Sequence, residues 1–144
     1  MEITKNKSLT VGELEDKFKG DKQFAGVYLL YQAIPELQAN KFYIFNMIKR
    51  NKKKGHYVAL MTDRSPKAPK AYYYDPFGLN PPSKILSKMI NFAGEDVFYN
   101  NRLQQDIYSK RCGMYVVIVI DLWKKTKSFR KTMKILDEIC EERS

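Results

Sequence analysis

The chain of 144 residues is poor in the side chains that build metal centres and disulfide scaffolds, with two cysteines and one histidine. Cys112 and Cys140 could close at most one bridge, a thin framework for a secreted fold. Two cysteines and His56, at no zinc-like spacing, speak against a structural metal site. No Gly-rich phosphate loop appears, which removes support for nucleotide chemistry. The longest apolar stretch, 114–120, is too short to span a bilayer and ends at Asp121. The opening residues Met1-Glu2-Ile3-Thr4-Lys5 lack the apolar core of a secretory signal. Together these absences predict a soluble protein of a reducing compartment, with no metal, no required cofactor and no membrane partner.

What is present points to a globular molecule. The composition is 44% hydrophobic, with ten tyrosines and eight phenylalanines, enough for one core in a single domain over residues 1–144. The formal net charge is +10, from 26 Lys+Arg against 16 Asp+Glu. Part of that excess is clustered, at Lys49, Arg50, Lys52, Lys53 and Lys54 and again at Lys124, Lys125, Lys127, Arg130, Lys131 and Lys134. Such clusters suit an anionic partner such as DNA, and equally suit solvated turns and a polar helix face.

Local patterning predicts alternating helices and strands. Thr10-Val11-Gly12-Glu13 fits a capping box before a short helix carrying Val11, Leu14 and Phe18, with Gly20 as its stop. Residues 24–31 are apolar and aromatic, and a turn follows near Pro35. Phe42-Tyr43-Ile44-Phe45 reads as a strand, residues 49–55 as a hairpin turn and 56–61 as the returning strand. Residues 62–69 read as a loop, 71–74 as a strand ending at Asp75. Asn80 is expected to cap a helix beginning with Pro81 and Pro82, with Ile85, Leu86, Met89 and Ile90 on its buried face. Val97-Phe98-Tyr99 is a further short strand. For 113–123, β-branched content favours a buried strand, whereas length favours a central helix. Residues 128–142 predict a last helix with Phe129, Met133, Leu136, Ile139 and Cys140 on one side, Cys140 serving as core packing.

In chain order His56, Asp75, Gln105 and Cys112 supply a base, an orienting carboxylate, an amide donor and a nucleophile. An antiparallel pairing of 56–61 with 71–74 would bring His56 beside Asp75. A helix starting at Cys112 would stabilise its thiolate through the backbone dipole. Gln105 suits an oxyanion donor, though Gln104 competes with it on composition. Each residue also has an ordinary reading: a packed thiol, a strand histidine, a turn aspartate and a solvated glutamine.

The combination Gly55-His56-Tyr57, Tyr74-Asp75-Pro76-Phe77-Gly78, Gln105 and Cys112-Gly113-Met114-Tyr115 resembles the adenovirus-type, adenain-like cysteine endopeptidases, a group that includes proteases of virophages, Polinton-type elements and large DNA viruses. The likeness runs from about Phe24 through Trp123. It implies an α+β fold with a small mixed sheet packed on a central helix headed by Cys112. It also implies His56 as general base, Asp75 as its acidic partner, Gln105 at the oxyanion hole and Cys112 as nucleophile. Tyr57 stands where many members have tryptophan. The implied activity is cleavage of viral capsid or core precursor polypeptides during virion maturation. It would be carried out by a monomer in the virion and the infected host's cytoplasm or viral factory, with DNA or an activating peptide as possible aids. Two rivals follow from the same residues: a deconjugase of SUMO or ubiquitin-like modifiers, which share the fold, and a non-enzymatic basic DNA-binding packaging protein.

Overall fold

The computed structural model describes residues 9–47, 56–65, 68–101 and 112–143, with the backbone alone at 65, 112 and 140–143. Helix α1 (Val11–Phe18) starts as the sequence predicts. The Thr10 hydroxyl accepts from Glu13 N and the Glu13 carboxylate accepts from Thr10 N, each at 3.1 Å. Two otherwise unpaired N–H groups are thereby satisfied, and Leu14 and Phe18 turn inward.

Five strands form one mixed sheet in the order β1-β2-β3-β4-β5. Strand β1 (Phe24–Leu29) runs parallel to β2 (Phe42–Asn46). The hairpin partners β2 and β3 (Tyr57–Ser65) are antiparallel, as are β3 and β4 (Ala68–Tyr74), while β5 (Val97–Tyr99) lies parallel to β4. Alternation along these strands divides the core in two. Phe42, Ile44, Ala59, Met61 and Tyr74 pack with α1, α3 (Cys112–Thr126) and α4 (Phe129–Arg143). Tyr43, Phe45, Val58, Leu60 and Tyr73 pack with Ile34, Leu37 and α2 (Ser83–Ala93). The middle strands are therefore covered on both faces, which accounts for their almost unbroken apolar sequence.

The 113–123 segment is helical. Tyr115, Val116, Ile118, Val119, Ile120 and Trp123 are all buried in α3. Helix propensity costs each β-branched residue at most ~0.7 kcal/mol. Burying such a side chain returns roughly 1.5–3 kcal/mol, so packing decides the conformation. At the head of this helix a close approach matters. A Cβ built on Gly113 would lie 3.0 Å from Leu9 Cβ and 3.4 Å from the Tyr57 ring. Glycine is what lets the start of α3 settle onto the start of β3.

Some expectations are corrected. The 62–69 segment is mostly extended: β3 continues to Ser65 and β4 begins at Ala68, with Arg64 opposite Pro69. Pro69 is tolerated there because β5 pairs only with the part of β4 from Ala71 onward. Asn80 does not cap α2. The N-cap is Pro82, with φ −65° and ψ 156°, and no side chain bonds the helix start. Pro82 also disfavours helical geometry at Pro81 before it. The buried stripe of α2 is Ile85, Met89 and Ala93, spaced one turn apart, so Ile90 falls off it and is 50% exposed. The expected hairpin turn at 49–55, with its lysine cluster, lies outside the described residues. No helix among those residues is long and apolar enough to cross a membrane.

Two predictions follow. Replacing Gly113 with valine should overpack the junction of α3 with Leu9 and Tyr57 and cost about 1–3 kcal/mol, read as a lower urea midpoint. The second concerns Asp21, bonded to Lys124, which also lies over the Phe42 ring. Burial alone would raise the Asp21 carboxyl, but the Lys124 bond, the Gln23 N–H and the Lys124 charge outweigh it and hold the group below the usual carboxylate value. A depressed folded value means stability that is present above the unfolded pKa of about 3.9 and lost as pH falls through the folded one. Asp21→Asn should therefore be less stable than wild type above about pH 4, with the two converging towards about pH 2 in acid-limb denaturation curves.

Candidate active site

The β3–β4 pairing brings together the two ends that matter. Ala59 lies opposite Tyr74, so the residue leaving β4 comes beside the residue entering β3. His56 Nε2 stands 3.3 Å from Asp75 Oδ2, at the long end of hydrogen-bonding distance. The Asp75 side chain is 2% exposed and that of His56 23% exposed. The carboxylate is sealed while the ring keeps a path to solvent. A neutral imidazole facing a carboxylate with Nε2 holds its proton there, leaving Nδ1 as the nitrogen able to accept another.

Every other polar atom of Asp75 is occupied. Its Oδ1 accepts from Phe77 N at 2.8 Å, and its carbonyl accepts from Gly78 N at 2.8 Å, closing the Asp75-Pro76-Phe77-Gly78 turn. Gly78 takes φ 71°, a value that suits glycine at this tight corner. On the other side the Asn100 amide meets the Asp75 main chain twice: Asp75 N donates to Oδ1 at 2.8 Å, and Nδ2 donates to Asp75 O at 2.7 Å. The turn also sets Phe77 against the histidine, their ring centroids 4.8 Å apart at an interplanar angle of 50°. Burial, with the Asp75 charge nearby, pushes the phenol of neighbouring Tyr73 far above its ordinary pKa, so that group remains a neutral hydroxyl.

Cys112 is the first residue of α3, a helix of 15 residues with no acidic residue in its first turn and Lys124 and Lys125 in its last. That charge arrangement agrees with the helix dipole at its carboxyl end and leaves the amino end uncontested. Gly113, next in the chain, abuts Tyr57, the residue that follows His56. The backbone thus carries the cysteine-bearing helix start to the histidine-bearing strand start. The Cys112 side chain lies outside the described residues, as do Gln104 and Gln105. Cys140 lies on α4, with its side chain likewise outside them. Among the described residues no group of histidine, cysteine and acidic side chains could hold a metal ion.

Sequence reasoning missed Asn100 and assigned Phe77 no task of its own. Phe77 was legible as part of the turn motif. Asn100 carries little local signal, since its importance comes from a partner 25 positions away in the chain.

A solved structure of the ASFV pS273R protease has a similar fold. The TM-score is 0.58 at 15% sequence identity, and the match covers 89% of this chain and 61% of that one. A selenomethionine structure of the same protease matches with TM-score 0.58 at 14% identity, over 89% of this chain and 62% of the other. The chain therefore spans less than two thirds of the length of the protease it matches. No protein-family model matches the sequence, and no curated protein does. At this level of identity the likeness is one of fold: a five-stranded mixed sheet with helices on both faces, in an α+β arrangement that a protease also adopts.

Proposed function

We propose that this chain is a viral cysteine endopeptidase of the adenain-like type. The observation that carries the reading is the His56–Asp75 contact, set at the sheet end where the Cys112 helix begins. A carboxylate holding one imidazole nitrogen leaves the other to take a proton from a thiol. A cysteine at a helix amino terminus has its thiolate favoured by the same dipole that the lysines complement at the far end.

In this reading His56 Nδ1 takes the Cys112 thiol proton, and the sulfur attacks the scissile carbonyl carbon. The carbonyl π electrons move onto oxygen, where the Gln105 amide and the Cys112 backbone N–H donate hydrogen bonds. Collapse of that intermediate breaks the C–N bond, and the imidazolium returns the proton to the departing amine. Water, deprotonated by His56, then attacks the thioester, releasing the acid and restoring the thiol. Asp75 stabilises the imidazolium throughout by accepting from Nε2. No metal or organic cofactor enters these steps.

The substrates we assign are capsid or core precursor polypeptides cleaved during virion maturation. Fold kinship with a protease supports the hydrolytic half of this reading; the choice of substrate rests on the resemblance carried by the Asp-Pro-Phe-Gly turn and the order of His56, Asp75, Gln105 and Cys112. For a packaging protein that only binds DNA, the pairing of half-buried His56 with buried Asp75 would have no use. One lysine of the carboxyl-terminal cluster, Lys124, is moreover engaged by Asp21.

The test is processing of a co-expressed capsid precursor. Cys112→Ala and His56→Ala should leave the precursor intact. Asp75→Asn should slow cleavage by at least about 100-fold, and Gln105→Ala by about 100- to 1,000-fold. Undiminished processing by folded Cys112→Ala would overturn the proposal. Reaction of Cys112 with a ubiquitin-like modifier carrying a carboxyl-terminal electrophile, without precursor cleavage, would move the assignment to a deconjugase.

A further inference from the structure

We propose that Asn100 is a positioning residue of this site, acting through the main chain of Asp75 to aim the carboxylate at His56. The effect on rate rests on the peptidase reading; the effect on the histidine does not.

Where β5 ends, the parallel ladder with β4 is continued by one main-chain bond, Asn100 N to Tyr73 O at 3.3 Å. Among the described residues the β5 ladder with β4 goes no further, and Asn101 is exposed. Asp75 would leave the sheet with its N–H and C=O unpaired on that side, yet it is 1% exposed. The Asn100 side chain fills the gap. Its planar amide presents an acceptor to Asp75 N and a donor to Asp75 O, as a neighbouring peptide group would. The backbone partners fix which end of the amide is which, since an N–H must meet oxygen and a C=O must meet nitrogen. Asn100 is itself only 8% exposed.

The consequence is directional. With its main chain held from one side by Asn100 and from the other by Gly78 N, and Oδ1 tied to Phe77 N, Asp75 keeps one free carboxylate oxygen, which faces His56 Nε2. Few other residues could hold this geometry. An aspartate at position 100 would set an acceptor against the Asp75 carbonyl, and an alanine would leave the buried Asp75 N–H without a partner and the Asp75 carbonyl with Gly78 N alone. An asparagine that merely ended a strand would leave the histidine proton where it was; one that aims the carboxylate would not.

His56 is the sole histidine, so the proton can be followed without assignment ambiguity. In protein labelled with ¹⁵N-histidine, two-bond proton–nitrogen spectra of the neutral ring should place the proton on Nε2 in wild type. Asn100→Ala should lose that preference, its two nitrogen shifts moving towards each other as in Asp75→Ala. Asn100→Ser, small enough to admit a bridging water, provides a milder variant should Asn100→Ala fail to fold, and should shift in the same direction. On a peptide substrate, kcat should fall on the order of tenfold or more with KM within about twofold. A folded Asn100 variant that keeps the wild-type Nε2 proton and the wild-type kcat would overturn the proposal. If the wild-type protein hydrolyses no substrate, the peptidase reading falls, while the tautomer comparison still decides the role of Asn100.

Discussion

The arrangement of this molecule depends on how a charged side chain is kept at the end of a buried strand. Asp75 is almost completely enclosed, and an enclosed carboxylate is costly unless hydrogen bonds replace the water it has lost. Here the replacement is complete on the main chain and nearly so on the side chain: Asn100, Phe77 and Gly78 take every polar atom but one. The remaining oxygen has a single direction in which to act. The geometry of the His56–Asp75 pair and fold stability are therefore not separate here, because the bonds that make the buried aspartate tolerable are the ones that point it.

The larger architecture serves the same end. The β3–β4 register sets where Asp75 leaves the sheet relative to where His56 enters it. Coverage of β2 and β3 on both faces makes a slip in that register costly, since moving a strand by one residue would exchange its two apolar faces. Gly113 closes the remaining distance by letting the first turn of α3 lie on Tyr57. Each of these contacts is ordinary packing, yet together they bring a helix start, a strand start and a strand end to one end of the sheet.

Much of this was legible in the sequence because it is local. The Thr10 capping box, the aromatic strands, and the Asp75 turn with Gly78 at its corner all express preferences of short segments. The proximity of His56 and Asp75 also followed from local reasoning, since an antiparallel return places them side by side. What escaped depended on partners far along the chain. Residues 62–69 look like a loop from their prolines and charges, yet 62–65 and 68–69 are strand because β3 and β4 complete one another's hydrogen bonds. Ile90 looks like a core residue and is not, because α2 covers the sheet along one narrow line. Asn100 looks like any polar residue after a short strand, and its role exists only once β5 lies against β4. For 113–123 composition alone suggested a strand, but the length of the segment and the family resemblance favoured the helix that the structure has.

The central claim is that His56, oriented by Asp75, activates Cys112, and the chain carries its own control in Cys140. The most direct measurement is the rate of alkylation of each cysteine by iodoacetamide near pH 6, resolved by peptide mass mapping, in wild type and in His56→Ala. The account predicts that Cys112 of wild type reacts much faster than Cys140 and that replacing the histidine removes the advantage. Equal reactivity of the two thiols in folded wild-type protein, or a Cys112 rate indifferent to the loss of His56, would contradict it.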